Sequence, residues 1–355
     1  MTLPELGLVE GFFGRPWSWD ERRGVMQRLA AHGFGFHIYA PKADAYLRRR
    51  WSEPHPDAEA QAMADFAAAC RETGVRFGVG LSPFEVYLDF GQAAKDALAR
   101  KLKWLDDMGV QELAILFDDM RGDVEDLAAR QAEIVHFAAE RTGASRVIMC
   151  PVYYSDDPVL DRVFGQRPAR ALEDLGALLD PAIGVFWTGE EVCSREISPG
   201  HLERVAEQLQ RRPTLWDNYP VNDGARMSRR LHLRGFTGRP AAIGPGIAAH
   251  AVNPMLQPTL SCIPILTLAQ NYREGDAYSY GAAGRAAAQA VAGPELGTLL
   301  ADNAAGLQDA GLDLPAERLA KLRARLAAFD HPAAQEAIGW LEGDYLVSAE
   351  DVQTQ

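Results

Sequence analysis

The stretch Leu113-Ala114-Ile115-Leu116-Phe117-Asp118-Asp119 runs from unbroken apolar residues straight into two adjacent carboxylates. The apolar part reads as a strand, and charge appears only at its C-terminal end. Neighbouring carboxylates repel each other. That repulsion raises the pKa of one, so the pair can present an ionised group and a proton donor in one pocket.

Working outward, similar apolar runs occur at Gly7–Phe13, Gly35–Ala40, Arg76–Leu81, Arg146–Pro151, Ile183–Trp187, Thr214–Trp216 and Ala242–Ala249, which makes eight with Glu112–Phe117. Longer amphipathic segments separate them, predicting helices at Trp19–Ala31, Asp57–Thr73, Ala93–Met108, Val124–Arg141, Arg170–Leu179, Pro199–Arg211 and Pro254–Ala269. Ser18 and Glu21 have the spacing of a capping box for the first. This alternation favours an α/β fold with a closed parallel sheet, a (β/α)8 TIM barrel over residues 1–275. Beyond it the sequence becomes Ala-rich. Helices at Ala282–Gln289, Pro294–Asp302, Pro315–Phe329 and Pro332–Leu341 predict a small C-terminal helical unit over residues 276–355, frayed beyond Val347.

Composition narrows the function. The chain has 355 residues, is 47% hydrophobic and carries a formal net charge of −13, which disfavours nucleic acid or an anionic membrane as partner. No apolar segment reaches the length of a membrane span, and the N-terminus lacks the pattern of a secretory signal. Cys70, Cys150, Cys193 and Cys262 are scattered and read as reduced core thiols. These features predict a cytoplasmic enzyme. The histidines have no metal-ligand spacing. Phosphate-loop, dinucleotide and Gly-x-Ser-x-Gly motifs are missing, so neither metal nor cofactor is expected.

In a barrel of this kind the chemistry sits at the C-terminal ends of the strands. Lys42 follows Ala40-Pro41 in a chain with only five lysines. The segment Trp216-Asp217-Asn218-Tyr219-Pro220-Val221-Asn222-Asp223 places aromatic rings among amides and carboxylates, the composition of a sugar site. Trp17, Trp187 and Tyr154 lie at other strand ends and are candidates for the same pocket. Asp118 and Asp119 cannot both face the interior from regular strand, because neighbours alternate; they share the mouth only if the chain turns there. The alternative is that one of them caps the next helix or pairs with an arginine. Asn253, before Pro254, likewise suits either a site or a helix cap.

Taken together, Val9-Glu10-Gly11-Phe12-Phe13-Gly14-Arg15-Pro16-Trp17, Tyr39-Ala40-Pro41-Lys42, Leu116-Phe117-Asp118-Asp119, Phe186-Trp187-Thr188-Gly189, Leu215-Trp216-Asp217-Asn218, Asn222-Asp223 and Val252-Asn253-Pro254 resemble glycoside hydrolase family 84, the β-N-acetylglucosaminidases that include the O-GlcNAcases. The motifs run in family order. The resemblance implies a retaining exo-β-N-acetylglucosaminidase in which the sugar's own 2-acetamido oxygen attacks the anomeric carbon and forms an oxazoline. It makes Asp118 the group that polarises the acetamide and Asp119 the general acid and then base. Gly11, Lys42, Asp223 and Asn253 become contacts to the sugar, with Tyr154, Trp216 and Asn218 around its acetamido group. The implied partner is a GlcNAc-bearing glycoside or glycoprotein. The chain departs from the family at Phe13, often tyrosine, and at Ala43-Asp44, often an acidic pair; both affect the rim more than the reacting centre. A non-catalytic glycan-binding barrel and a hyaluronidase-type specificity are the competing readings.

Overall fold

The computed structural model describes residues 3–355. Its strands are β1 (Glu5–Glu10), β2 (Phe34–Tyr39), β3 (Arg76–Leu81), β4 (Glu112–Leu116), β5 (Arg146–Cys150), β6 (Gly184–Trp187), β7 (Thr214–Asp217) and β8 (Ala249–Val252). Each pairs in parallel with the next, and β8 pairs with β1, so the sheet closes as the predicted (β/α)8 barrel. Parallel pairing requires a crossover between strands. These crossovers carry α1 (Trp19–Ala30), α2 (Asp57–Glu72), α3 (Gln92–Asp107), α4 (Leu127–Ala139), α5 (Val159–Phe164), α6 (Ala171–Leu178) and α7 (Pro199–Leu209), and α8 (Pro258–Glu274) follows β8. The capping box is present: the Ser18 side chain accepts from Glu21 N, and Glu21 accepts from Ser18 N.

The last strand corrects the sequence reading. Ala241–Gly246 is a 3-10 helix, and the strand is Ala249–Val252 rather than Ala242–Ala249. Pro245 has no N–H to give a central strand, and the flanking glycines favour a turn. The following helix starts at Pro258 rather than Pro254, with proline in its first turn, where a missing N–H costs nothing.

The N-terminal end of the barrel is closed by charge. Glu5, Arg76, Glu112 and Arg146 are the first residues of β1, β3, β4 and β5. Arg76 donates to Glu112 at 2.7 Å and is also paired with Glu5; Arg146 meets Glu5 at 2.7 Å. The Phe36 ring lies beneath both guanidinium groups, 5.9 and 5.4 Å from them. It fills the space that the missing side chain of Gly7 leaves, where a Cβ would fall 2.3 Å from the ring.

Five helices follow the barrel: α9 (Tyr280–Ala292), α10 (Pro294–Asp309), α11 (Ala316–Leu326), α12 (Pro332–Glu342) and α13 (Ala349–Thr354). Both α9 and α12 pack on α8, and the Glu336 carboxylate accepts the N–H groups of Thr259 and Leu260 at 2.9 Å, satisfying donors at the start of that helix. The segment expected to fray beyond Val347 is helical instead. Its Ser348–Asp351 capping box satisfies the first turn, and Gln355 Oε1 accepts the Gly14 N–H at 2.8 Å. Among the described residues no helix is long and apolar enough to cross a membrane.

Replacing Phe36 by alanine should lower the unfolding free energy by about 3–5 kcal/mol, the range for a buried aromatic. Chemical denaturation measures it. Because Phe36 lies at the end of the barrel opposite the carboxylate pair, ligand affinity of the folded variant should be unchanged.

Candidate active site

The two carboxylates reach one mouth because the chain leaves β4 between them. Phe117 still bonds to the neighbouring strand, donating its N–H to Cys150 O at 2.9 Å. Asp119 then adopts a left-handed backbone, φ 58°. Aspartate tolerates that conformation better than most residues. Helix α4 starts only at Leu127, so neither carboxylate caps it.

Lys42, carried by the loop after β2, is buried and forms an ion pair with Asp118 Oδ2; its ammonium also lies 3.6 Å from Asp119 Oδ2. One cation thus faces both neighbouring carboxyl groups. The Tyr154 hydroxyl, from the loop after β5, donates to Asp119 Oδ1 at 3.1 Å. Burial and the two aspartates push the Tyr154 hydroxyl well above its ordinary pKa, so it stays a donor. Asp118 Oδ1 is buried without a hydrogen-bond partner among the described residues. A buried acceptor left open at a cavity is suited to a ligand's N–H.

The opposite wall is a chain of amides. Trp216 Nε1 donates to Asn218 Oδ1 at 3.0 Å, Asn253 Nδ2 donates to the same oxygen at 2.9 Å, and Asn253 Oδ1 accepts the Gly11 N–H at 3.1 Å. This links the ends of β7, β8 and β1. Asn253 therefore lines the cavity and does not cap the next helix, whose N-cap is Gln257. Gly11 is required sterically, since a Cβ there would lie 1.9 Å from the Trp216 ring. Asp223 accepts the Phe13 N–H at 2.9 Å. Burial pushes its carboxyl up to about 6, against that hydrogen bond, which favours the ionised form.

Gly11, Asp118, Asp119, Tyr154, Trp216, Asn218, Asp223 and Asn253 line a single cavity of about 230 Å³, and Lys42 stands beside it through its pair with Asp118. Two aromatic candidates do not belong there. Trp187 is fully buried with its Nε1 bonded to His201, and Trp17 donates to the carbonyls of Met255 and Leu256; both are core. The cavity also has walls the sequence did not single out: Cys150, Val192, Cys193 and Val352. Cys193 is exposed, unlike the three buried cysteines, so the core-thiol reading fails for it. Nothing in the order of residues marks Val192 or Val352, which reach the cavity only through folding. No group of three or more His, Cys, Asp or Glu side chains that could hold a metal occurs among the described residues.

Residues 6–303 match the model of the family described as NAGidase, beta-N-acetylglucosaminidase. The chain belongs to that family, glycoside hydrolase family 84. Its members are glycoside hydrolases. Protein O-GlcNAcase of Mus musculus is 30% identical over 276 residues, covering 75% of this chain and 30% of the relative. The Rattus norvegicus protein of the same name matches to the same extent. The chain thus spans about 30% of the length of these curated relatives. Among solved structures, a mutant O-GlcNAc hydrolase of Thermobaculum terrenum superimposes with a TM-score of 0.81 at 29% identity, over 96% of this chain and 80% of its own.

Asp223 sets a pH dependence. Its folded pKa, about 6, stands above the ordinary value of 3.8. For a carboxyl raised in this way, the stabilising contribution is complete below the unfolded value and is lost as pH rises through the folded one. The Asp223→Asn variant should therefore lose less thermal stability than the parent between pH 4 and pH 7. Parallel melting curves at the two pH values check this.

Proposed function

We propose that this chain is a retaining exo-β-N-acetylglucosaminidase that removes terminal β-linked GlcNAc, of the O-GlcNAc type, with the substrate's acetamido group as nucleophile. The observation that carries the reading is the unpartnered, buried Oδ1 of Asp118, a residue that is paired with Lys42 and lines a cavity shared by Asp119, Tyr154, Trp216 and Asn218. Carboxylate-spacing rules for glycosidases do not apply to substrate-assisted chemistry.

In the first step Asp118 accepts the acetamido N–H and polarises the group. The acetamido oxygen bonds to the anomeric carbon while the bond to the aglycone oxygen breaks, and Asp119 gives its proton to that oxygen. In the second step Asp119 takes a proton from water as the water oxygen bonds to the anomeric carbon. The oxazoline C–O bond opens and the acetamide is restored. No enzyme nucleophile, metal or cofactor enters this scheme. Tyr154 and Lys42 hold Asp119 and Asp118 in place. Trp216 and Asn218 enclose the acetamido group. Asp223, Lys42, Asn253 and the Gly11 carbonyl meet the ring hydroxyls. The natural partner in this reading is a GlcNAc-bearing glycoside or glycoprotein, and the four free thiols fit a reducing, cytoplasmic setting. The helical segment 276–355 would act as a buttress on α8 beside the barrel of residues 1–275.

The direct test is release of 4-nitrophenol from its N-acetyl-β-glucosaminide near neutral pH with a chelator present. Turnover is expected. Asp119→Ala should slow a poor leaving group by about 10²–10⁴-fold, the usual contribution of general acid catalysis, and an activated aryl group much less. Equal losses for both would remove Asp119 from the acid role. Asp118→Asn should impair both, and a thiazoline mimic of the oxazoline should inhibit the parent enzyme; absence of binding at millimolar concentration would rule out acetamido participation.

A further inference from the structure

The segment between β6 and α7 brings Val192 and Cys193 to the sugar cavity, and it hangs from the end of β7 at two places. At the first, Asn218 Nδ2 donates to Val192 O at 2.8 Å. At the second, Arg239 Nη2 donates to Ser194 O at 2.6 Å and Nη1 to Arg195 O at 2.8 Å. Arg239 is 4% exposed. Its charge is met by Asp217, with Nε 2.8 Å from Oδ2 and Nη2 2.7 Å from Oδ1, a two-pronged pair. Asp217 is itself fully buried, and His250 Nε2 lies 3.0 Å from its Oδ2. The backbone alongside is equally close: Ile197 N donates to Gly238 O at 2.8 Å, and a Cβ on Gly238 would fall 2.1 Å from Arg195 O.

Strand alternation makes this arrangement possible. Trp216 and Asn218 face the sugar cavity, so Asp217 between them is sent to the other side, where it anchors Arg239. Beyond the wall lies a second cavity of about 760 Å³, lined in part by Arg239. Val192, Cys193 and Asn218 line both cavities, so these residues form the partition between them.

We propose that Arg239, held by Asp217, is a positioning residue that locks the Val192–Cys193 partition and so limits the length of the N-acyl group the pocket admits. The proposal rests on the reading of the cavity as a GlcNAc site. With the guanidinium fork gone, Ser194 O and Arg195 O lose their donors, and the partition is left with the Asn218 bond, a 3.2 Å bond from Val192 N to Asp157 and the Ile197–Gly238 backbone bond. It can then yield toward the second cavity, and a longer acyl chain gains room.

The test compares 4-nitrophenyl β-glucosaminides bearing N-acetyl and N-butanoyl groups. Arg239→Lys keeps a cation beside Asp217 but cannot serve Asp217 and both carbonyls at once. Since a methylene in a pocket is worth about 10–200-fold in discrimination, the butanoyl-to-acetyl ratio of kcat/KM should rise by about tenfold in the variant. Labelling of Cys193 by an aromatic disulfide reagent should also accelerate; this readout needs no turnover, and the other cysteines are buried. The double variant Asp217→Asn/Arg239→Gln, which leaves no buried charge unpaired, should behave alike if Arg239→Lys does not fold. An unchanged ratio together with unchanged labelling overturns the proposal and leaves Arg239 a purely structural residue. If the parent enzyme cleaves neither glycoside, the GlcNAc reading is what has failed, and the labelling rate alone decides whether Arg239 holds the partition.

Discussion

Two adjacent residues of a strand point to opposite faces, yet Asp118 and Asp119 must share one cavity. Everything at the mouth of this barrel answers to that constraint. The chain satisfies it by ending β4 at Leu116 and turning through a left-handed Asp119. The turn creates a second problem, since two carboxylates now crowd a poorly solvated site. Lys42, from the end of β2 two strands away, supplies the compensating charge, and Tyr154 supplies a neutral donor. Of the four carboxylate oxygens one remains buried and open, Asp118 Oδ1. The proposed chemistry is built around that oxygen.

The barrel keeps its charges at opposite ends for different purposes. At the N-terminal end Glu5, Arg76, Glu112 and Arg146 neutralise one another over the Phe36 ring and plug the interior. Glu112 Oε2 there is also buried without a hydrogen-bond partner among the described residues, but it sits within a cluster of two arginines rather than beside the cavity. At the C-terminal end the amide chain from Trp216 through Asn218 and Asn253 to Gly11 ties three strands together while leaving a hollow. Amides suit this task because each carries both a donor and an acceptor, so one side chain can hold its neighbour and still face a ligand. Behind that wall the Asp217–Arg239 pair is buried, Asp217 completely. Burial disfavours the charged carboxyl, yet Arg239 and His250 hold Asp217 well below the usual carboxylate range. A buried pair of this kind is valued more for fixing geometry than for stability.

Much of this was legible before folding. The strands β3, β4 and β5 begin where the runs begin, because short, mainly apolar segments flanked by amphipathic helices are buried most readily as strands of a parallel sheet. The last strand was misplaced because apolar character at Ala242–Ala249 was read without weighing Pro245, whose missing N–H forbids the ladder. Trp17 and Trp187 looked like site aromatics by position at strand ends. Their indole N–H groups found partners in the core instead, and burial there outweighed exposure at a mouth. The C-terminal helix α13 was missed, although its Ser348–Asp351 cap is written in the sequence, because a six-residue helix has little periodicity to read.

The sequence by itself determined the barrel, the end of it that holds the cavity, and the polar and ring groups that gather there: order along the chain fixes which residues end each strand, and strand ends converge once the sheet closes. Tertiary structure alone decided which of those residues meet. It placed Lys42 against Asp118 across 76 positions, hung Val192 and Cys193 from β7, and put Arg239 behind Asp217. Such contacts depend on the turn taken by each loop and on which buried charge finds a counter-charge. Those outcomes are set by the packing of the whole mouth, and no local pattern of residues encodes them.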